Sequence, residues 1–239
     1  MEKNDILILV LLFFVPSVLL AEIISQFVER VYRKNADLLS FDAKRIPKLR
    51  RPFLTLAIFI CAALLFTKTT GMPIIPFVVI APFENALPRL VALLCLFPAI
   101  VLLLVIAVTD WEHQMIFNDT TLPLAILGLI QTIAISCATT SYAPLLKNLT
   151  AAVIGGLCFL ILAILSHGGI GGGDIKLIAA LGIWLGPARL TTVVCTGFLL
   201  GGFAAIFFLI VKRKKQTDTF AYGPYFALPA IFYLLANPI

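Results

Sequence analysis

Two acidic stretches interrupt a 239-residue chain that is 61% hydrophobic and only 13% charged. The first, "TDWEHQMIFNDTTLP" (109–123), holds Asp110, Glu112, His113, Asn118 and Asp119 and no Lys or Arg. The second, "GGGDIKLIAALGIWLG" (171–186), sets Gly171, Gly172 and Gly173 before Asp174, with Lys176 two residues later. An ionisable group in or beside a bilayer is costly, which makes each acid a functional candidate. Two carboxyl groups that share one proton can hydrolyse a peptide bond without metal or nucleophile. The ionised one activates a water and the protonated one polarises the carbonyl. Adjacent glycines would let an extended substrate backbone lie against such a site.

Each residue also has a plainer reading. Asn118 or Asp119, followed by Thr120 and Thr121, has the form of a helix N-cap. Asp110 follows a long apolar run, where a lone acid is often simply interfacial. The GxGD pattern of 171–174 also suits a hinge, an anion-binding nest of amides or a close helix contact. No Gly-Lys-Ser/Thr follows it, and no βαβ pattern surrounds it, which excludes a phosphate loop and a dinucleotide fingerprint.

The elements that must position these residues are apolar runs. A soluble domain carries about 25% charged residues, and a spanning helix needs about 20 apolar ones. The chain therefore reads as an all-α integral membrane protein, a polytopic bundle of about eight transmembrane helices forming one membrane domain over 1–239. The spans fall near 6–28, 53–70, 89–109, 121–138, 148–166, 175–187, 190–211 and 221–237, with seven if the short sixth fails to cross. The proline-bearing segment 71–88 reads as an outer loop or a partly immersed turn. The first run is long, follows charges of both signs and lacks a small-residue cleavage site, so it is expected to be a retained span.

The formal charge of +6 has a topological explanation rather than a nucleic-acid one. Eight Lys and Arg lie in 29–52 and four more at Lys212, Arg213, Lys214 and Lys215, on one side of the eight-span arrangement. The other side has Lys3, Lys68, Arg89, Lys147 and Arg189. Basic loops stay in the cytoplasm, which puts both termini outside and Asp110 and Asp174 at the cytoplasmic ends of their helices. Cys61, Cys95, Cys137, Cys158 and Cys195 form no CxxC pair and are expected to be free core thiols. With only two histidines, no metal site can be assembled. His167 reads as interfacial, and Glu22 as facing either the bundle interior or the interface.

With "TDWEHQMIFNDTTLP", "GGGDIKLIAALGIWLG" and "FAYGPYFALPA" (220–230) in this order and spacing, the chain resembles the type IV prepilin peptidases, a branch of the GxGD intramembrane aspartyl proteases. That family shows an aspartate, an Ile-Pro-Asn/Asp turn eight residues on, a GxGD-x-K-L run with a Gly-x-Trp-x-Gly tail, and a Phe-Gly-Pro element in the last span. The resemblance covers roughly 100–239, the catalytic region, and implies that Asp110 and Asp174 are the catalytic pair. It implies removal of a short basic leader from prepilins or pseudopilins, after a glycine, at the cytoplasmic face of the bacterial inner membrane. No cofactor is implied for peptidase activity, and the partners are these substrates and the lipid bilayer, without nucleic acid.

Glu112 and His113 match common family residues and, with Gly171 to Gly173, Lys176 and Asn118, are candidates for shaping the site. Lys176 would favour ionised Asp174 or touch lipid phosphate. Glu112 and Asp119 would attract the basic leader. Two departures stand out: Phe117 takes the place of the usual proline, and 29–52 is a basic loop without the cysteines of the family's zinc-binding cytoplasmic domain. S-adenosylmethionine enters only if methyltransferase activity is retained. The competing reading is a transporter or channel with Asp110 and Asp174 as a proton or cation relay, although no internal repeat is visible. A non-catalytic assembly protein is a third.

Overall fold

The computed structural model describes residues 3–36, 50–70, 86–167, 169–211 and 221–236. Among them are seven α-helices and no strand: α1 (Lys3–Lys34), α2 (Arg50–Thr70), α3 (Ala86–His113), α4 (Asn118–Ala138), α5 (Ala143–Leu165), α6 (Gly172–Ile210) and α7 (Gly223–Ala236). Helices are what apolar runs must form in lipid, because each backbone N–H and C=O has to be satisfied within the segment. Leu94–His113, α4, α5 and α6 are long and apolar enough to cross a membrane, and α7 is apolar but shorter. The protein is an all-α membrane protein.

The helices fall into two compact units, Met1–Phe83 and Glu84–Ile239. In the first, Ala21, Ile24, Val28 and Val31 recur at the three-to-four spacing of one helix face and are buried, as are Leu54, Ile58 and Cys61 of α2. Phe14 meets Phe59 edge-on at 6.0 Å between ring centres. Arg50 is buried with its guanidinium 5.3 Å from the centre of the Tyr32 ring. Arg51 Nε lies 3.3 Å from Glu22 Oε2, so Glu22 turns to its neighbour helix. Five of the basic residues assigned above to a loop over 29–52 are helical instead. Arg30, Arg33 and Lys34 end α1, and Arg50 and Arg51 begin α2. Segments 37–49 and 212–220, with the remaining basic residues of both clusters, and 71–85 lie outside the described residues.

The second unit, α3 to α7, holds both acidic stretches. Its centre is built from Leu96, Ile100, Leu103 and Ile106 of α3 together with Leu124, Leu177, Leu181 and Phe226, all essentially inaccessible. Small residues let α5 and α6 approach closely. A Cβ on Gly182 would stand 2.5 Å from the Ala152 Cα, the kind of contact that replaces hydrophobic driving force between membrane helices. Only Cys61 and Cys95 are core thiols; Cys137, Cys158 and Cys195 are exposed. In lipid an apolar side chain is as well placed outside as inside, so hydrophobicity does not predict burial.

The sixth and seventh expected spans are one helical element, α6, broken at Gly186 (φ 69, ψ 178) immediately before Pro187. This conformation is essentially confined to glycine, and the proline cannot continue the hydrogen-bond ladder. The break is a reversal. Ile178 and Leu190 both lie against Gly155, yet a straight helix would hold them about 18 Å apart. Asp174 and Phe198 line one cavity, although a straight helix would separate them by about 36 Å. The first arm (172–185) and the second arm (187–210) therefore run in opposite directions, which recovers the eight-segment arrangement.

Candidate active site

Asp110 lies in the last turn of α3 and is only 5% exposed. The helix stops because Gln114 adopts a left-handed conformation (φ 55) and returns its N–H to the Asp110 carbonyl at 2.8 Å. Glu112 and His113 are half-buried in the same turn. The N-cap of α4 is Phe117, without a side-chain cap, so neither Asn118 nor Asp119 caps it as its type suggested. The hydroxyls of Thr120 and Thr121 donate back to the Phe117 carbonyl at 2.7 and 3.3 Å. Asn118 is engaged elsewhere: its Oδ1 accepts a hydrogen bond from Lys176 Nζ at 2.8 Å. That bond spans 58 residues of sequence and ties the start of α6 to the start of α4.

Asp174 lies in the first turn of α6, whose N-cap is Gly171 in extended conformation. The Asp174 N–H bonds to the Gly171 carbonyl at 3.0 Å, and a Cβ on Gly171 would be 3.2 Å from Asp174 Oδ2. Asp174 Oδ1 is buried and accepts no hydrogen bond from the described residues. The three glycines differ in use. Gly171 and Gly172 are exposed, and nothing stands within 4 Å of a Cβ on Gly172. Gly173 is pressed on the α3–α4 connection, where a Cβ would stand 2.8 Å from Ile116 Cβ and 3.2 Å from its carbonyl oxygen. One of the three thus serves packing within the chain.

The start of α7 completes the arrangement. Gly223 N–H donates to Asp110 Oδ2 at 2.7 Å, in a contact so close that a Cβ there would collide with the carboxyl. Its neighbour Tyr222 lines a cavity of about 140 Å³ with Asp174, Phe159, Ser166, Gly169, Ile170, Phe198 and Phe226. The aromatic side chains of this wall pack on each other; Phe198 and Phe226 are perpendicular at 5.4 Å. Two consecutive residues therefore attend one acid each, and together with the Ile116 and Asn118 contacts they bring Asp110 and Asp174 to the same end of the unit. Tyr222, Gly223 and Ser166 had no assigned role from sequence. The Gly-Pro pair at 223–224, opening an apolar helix, was the signal for the first two; Ser166 carried none. His167 (φ 52) follows the end of α5 and is absent from the cavity wall. Among the described residues no group of three His, Cys, Asp or Glu side chains could hold a metal ion.

The sequence around this site is similar to that of known proteins. Residues 95–206 match the type IV leader peptidase family. A prepilin leader peptidase/N-methyltransferase of Bacillus subtilis (strain 168) is 33% identical over 148 residues, 60% of this chain and 58% of that protein. A protein of the same name from Neisseria gonorrhoeae is 33% identical over 133 residues, 54% of this chain and 43% of its own. Another from Dickeya chrysanthemi is 29% identical over 160 residues, 65% and 53% respectively. The chain thus spans about half the length of the curated relatives it matches. No solved structure matches it. Asp110, Asn118, Asp174 and Lys176 all lie within the residues that match the type IV leader peptidase family.

Proposed function

We propose that this protein is a membrane-embedded aspartyl endopeptidase that removes the short basic leader of type IV prepilins or pseudopilins, cutting after a glycine. The observation that carries the reading is the convergence of two buried or half-buried aspartates on Tyr222 and Gly223. The names of the relatives support the substrate class. Asp110, whose Oδ2 accepts a backbone N–H, takes the water-activating role. Asp174, facing the cavity, polarises the scissile carbonyl. Water oxygen bonds to the carbonyl carbon as its proton passes to Asp110, while the Asp174 proton goes to the carbonyl oxygen. Collapse of the tetrahedral species breaks the C–N bond as one hydroxyl proton returns to Asp174 and the proton on Asp110 goes to the leaving amine, which restores the starting protonation of both acids. No cofactor is needed for these steps. Half of the residues lining the cavity are aromatic and Ile170 adds to them, so the substrate residue lodged there is apolar.

The catalytic region is 100–239, with Glu112, His113, Gly171, Gly172, Lys176 and Asn118 shaping the site and the basic stretch 29–52 standing in place of a zinc-binding domain. The site faces the cytoplasm, with both termini outside, in a bacterial inner membrane. Phe208, near the end of the second arm of α6, lies 6.3 Å from the Trp111 ring, and Gly223 at the start of α7 bonds Asp110. The chain thus leaves and re-enters the described structure at the acid end on either side of Lys212 to Lys215, and the preference of basic segments for the cytoplasm supports this orientation. Co-expression with a prepilin and a gel assay for leader loss test the reading, using Asp110→Ala and Asp174→Ala. Both variants are expected to accumulate uncut substrate; if both process it, the dyad assignment is wrong.

A further inference from the structure

The reversal in α6 is held from outside by two polar side chains that the mechanism above does not use. A residue at 187 would normally donate its N–H to the carbonyl of Ile183, but Pro187 has none to give. An unsatisfied carbonyl in hydrocarbon costs several kcal/mol. Here Ile183 O accepts two hydrogen bonds, from Asn148 Nδ2 of α5 at 2.8 Å and from Thr132 Oγ1 of α4 at 3.1 Å. Asn148 Nδ2 also lies 3.3 Å from Thr132 Oγ1. On its other side Asn148 Oδ1 fills the space at Gly186, 2.8 Å from where a Cβ would stand.

The arm between this clamp and Asp174 is a continuous helix knitted to α4 along its length. Trp184 Nε1 donates to the Leu124 carbonyl at 2.8 Å, and Lys176 bonds Asn118 at the far end. A rigid helix fixed in height and rotation at one end is fixed at the other. We propose that Asn148, assisted by Thr132, is a positioning residue for Asp174, acting through the first arm of α6 over about 18 Å. The inference rests on the peptidase reading of the preceding subsection.

The full-length protein in liposomes, given a purified prepilin, tests it with Asn148→Leu, Thr132→Val and Thr132→Ser. Misplacing a catalytic group by about 1 Å costs on the order of a hundredfold in rate. Asn148→Leu is therefore expected to lower kcat by about ten- to a hundredfold while KM holds. Thr132→Val falls less, because Asn148 still serves Ile183, and Thr132→Ser keeps the wild-type rate. A second readout is independent of peptidase activity. The chain has two tryptophans, Trp111 and Trp184, so in a Trp111→Phe background the emission of Trp184 reports the arm. Asn148→Leu should shift it. Unchanged emission with unchanged kcat overturns the clamp, and shifted emission with unchanged kcat overturns the positioning role. If Asn148→Leu fails to fold, Thr132→Val decides by the same two measurements. A wild-type protein that cuts no prepilin would sink the peptidase reading, while the Trp184 shift would still show whether the clamp sets the arm.

Discussion

Gly223→Ala gives the sharpest test of how Asp110 is held. A Cβ on residue 223 would stand 2.7 Å from Asp110 Oδ2 and 2.9 Å from its Cβ and Cγ, whereas ordinary contact begins at 3.4 Å. The nearest pair must separate by about 0.7 Å, and the carboxyl, buried at the end of α3, has no open space to enter. The methyl group therefore displaces the carboxyl or pushes back the start of α7, and either movement strains the 2.7 Å hydrogen bond from the Gly223 N–H. Overpacking of this kind costs about 1–3 kcal/mol in stability. Catalysis should suffer more, by about ten- to a hundredfold in kcat, because the oxygen proposed to activate water would leave its position. The assay is single-turnover leader removal from a prepilin in proteoliposomes, with folded protein quantified by thermal unfolding. Gly202→Ala serves as the control, since nothing stands within 4 Å of a Cβ there. If Gly223→Ala cuts at the wild-type rate while Gly202→Ala also does, the tight seating of Asp110 against α7 has no catalytic meaning.

Other residues give independent checks. Gly173→Ala should be destabilising by about 1–3 kcal/mol through its collision with Ile116, and Ile116→Ala in the same chain should recover part of the loss in a thermal melt. Lys176→Met and Asn118→Ala should each cost about 0.5–1.5 kcal/mol, and the double variant should cost less than the two combined because they share one hydrogen bond. Trp184→Phe removes the indole donor to the Leu124 carbonyl and should lower stability by about 0.5–1.5 kcal/mol; a melt unchanged from wild type would show that this bond adds nothing net.

Much of the fold is legible because bilayer physics leaves so few options. Apolar runs become helices, and the Gly186–Pro187 pair marks where the sixth segment ends. The polarity of Asp110 and Asp174 at the ends of such runs is visible for the same reason. Less visible is everything decided by the neighbour across a helix interface. Asn118 looks like a cap until Lys176, 58 residues on, claims its oxygen. Gly173 looks like room for substrate until Ile116 fills it. Cys137, Cys158 and Cys195 look like core because a lipid-facing residue and a buried one have the same polarity. Tyr222 and Gly223 bear no charge, so the Gly-Pro pair at 223–224 marks the start of a helix without showing that this start meets the two acids.

The unequal arms of α6 bear on the bilayer itself. Residues 172–185 rise about 21 Å, whereas a hydrocarbon core is about 30 Å thick. With Asp174 at one boundary, as proposed above, the turn at Gly186 cannot reach the other unless lipid thins around it, a case of hydrophobic mismatch. Because the carbonyl of Ile183 is already satisfied by Asn148 and Thr132, the turn tolerates immersion. The first arm can therefore end within the hydrocarbon core without crossing it, and leader removal should change little when the acyl chains of the host vesicles are shortened.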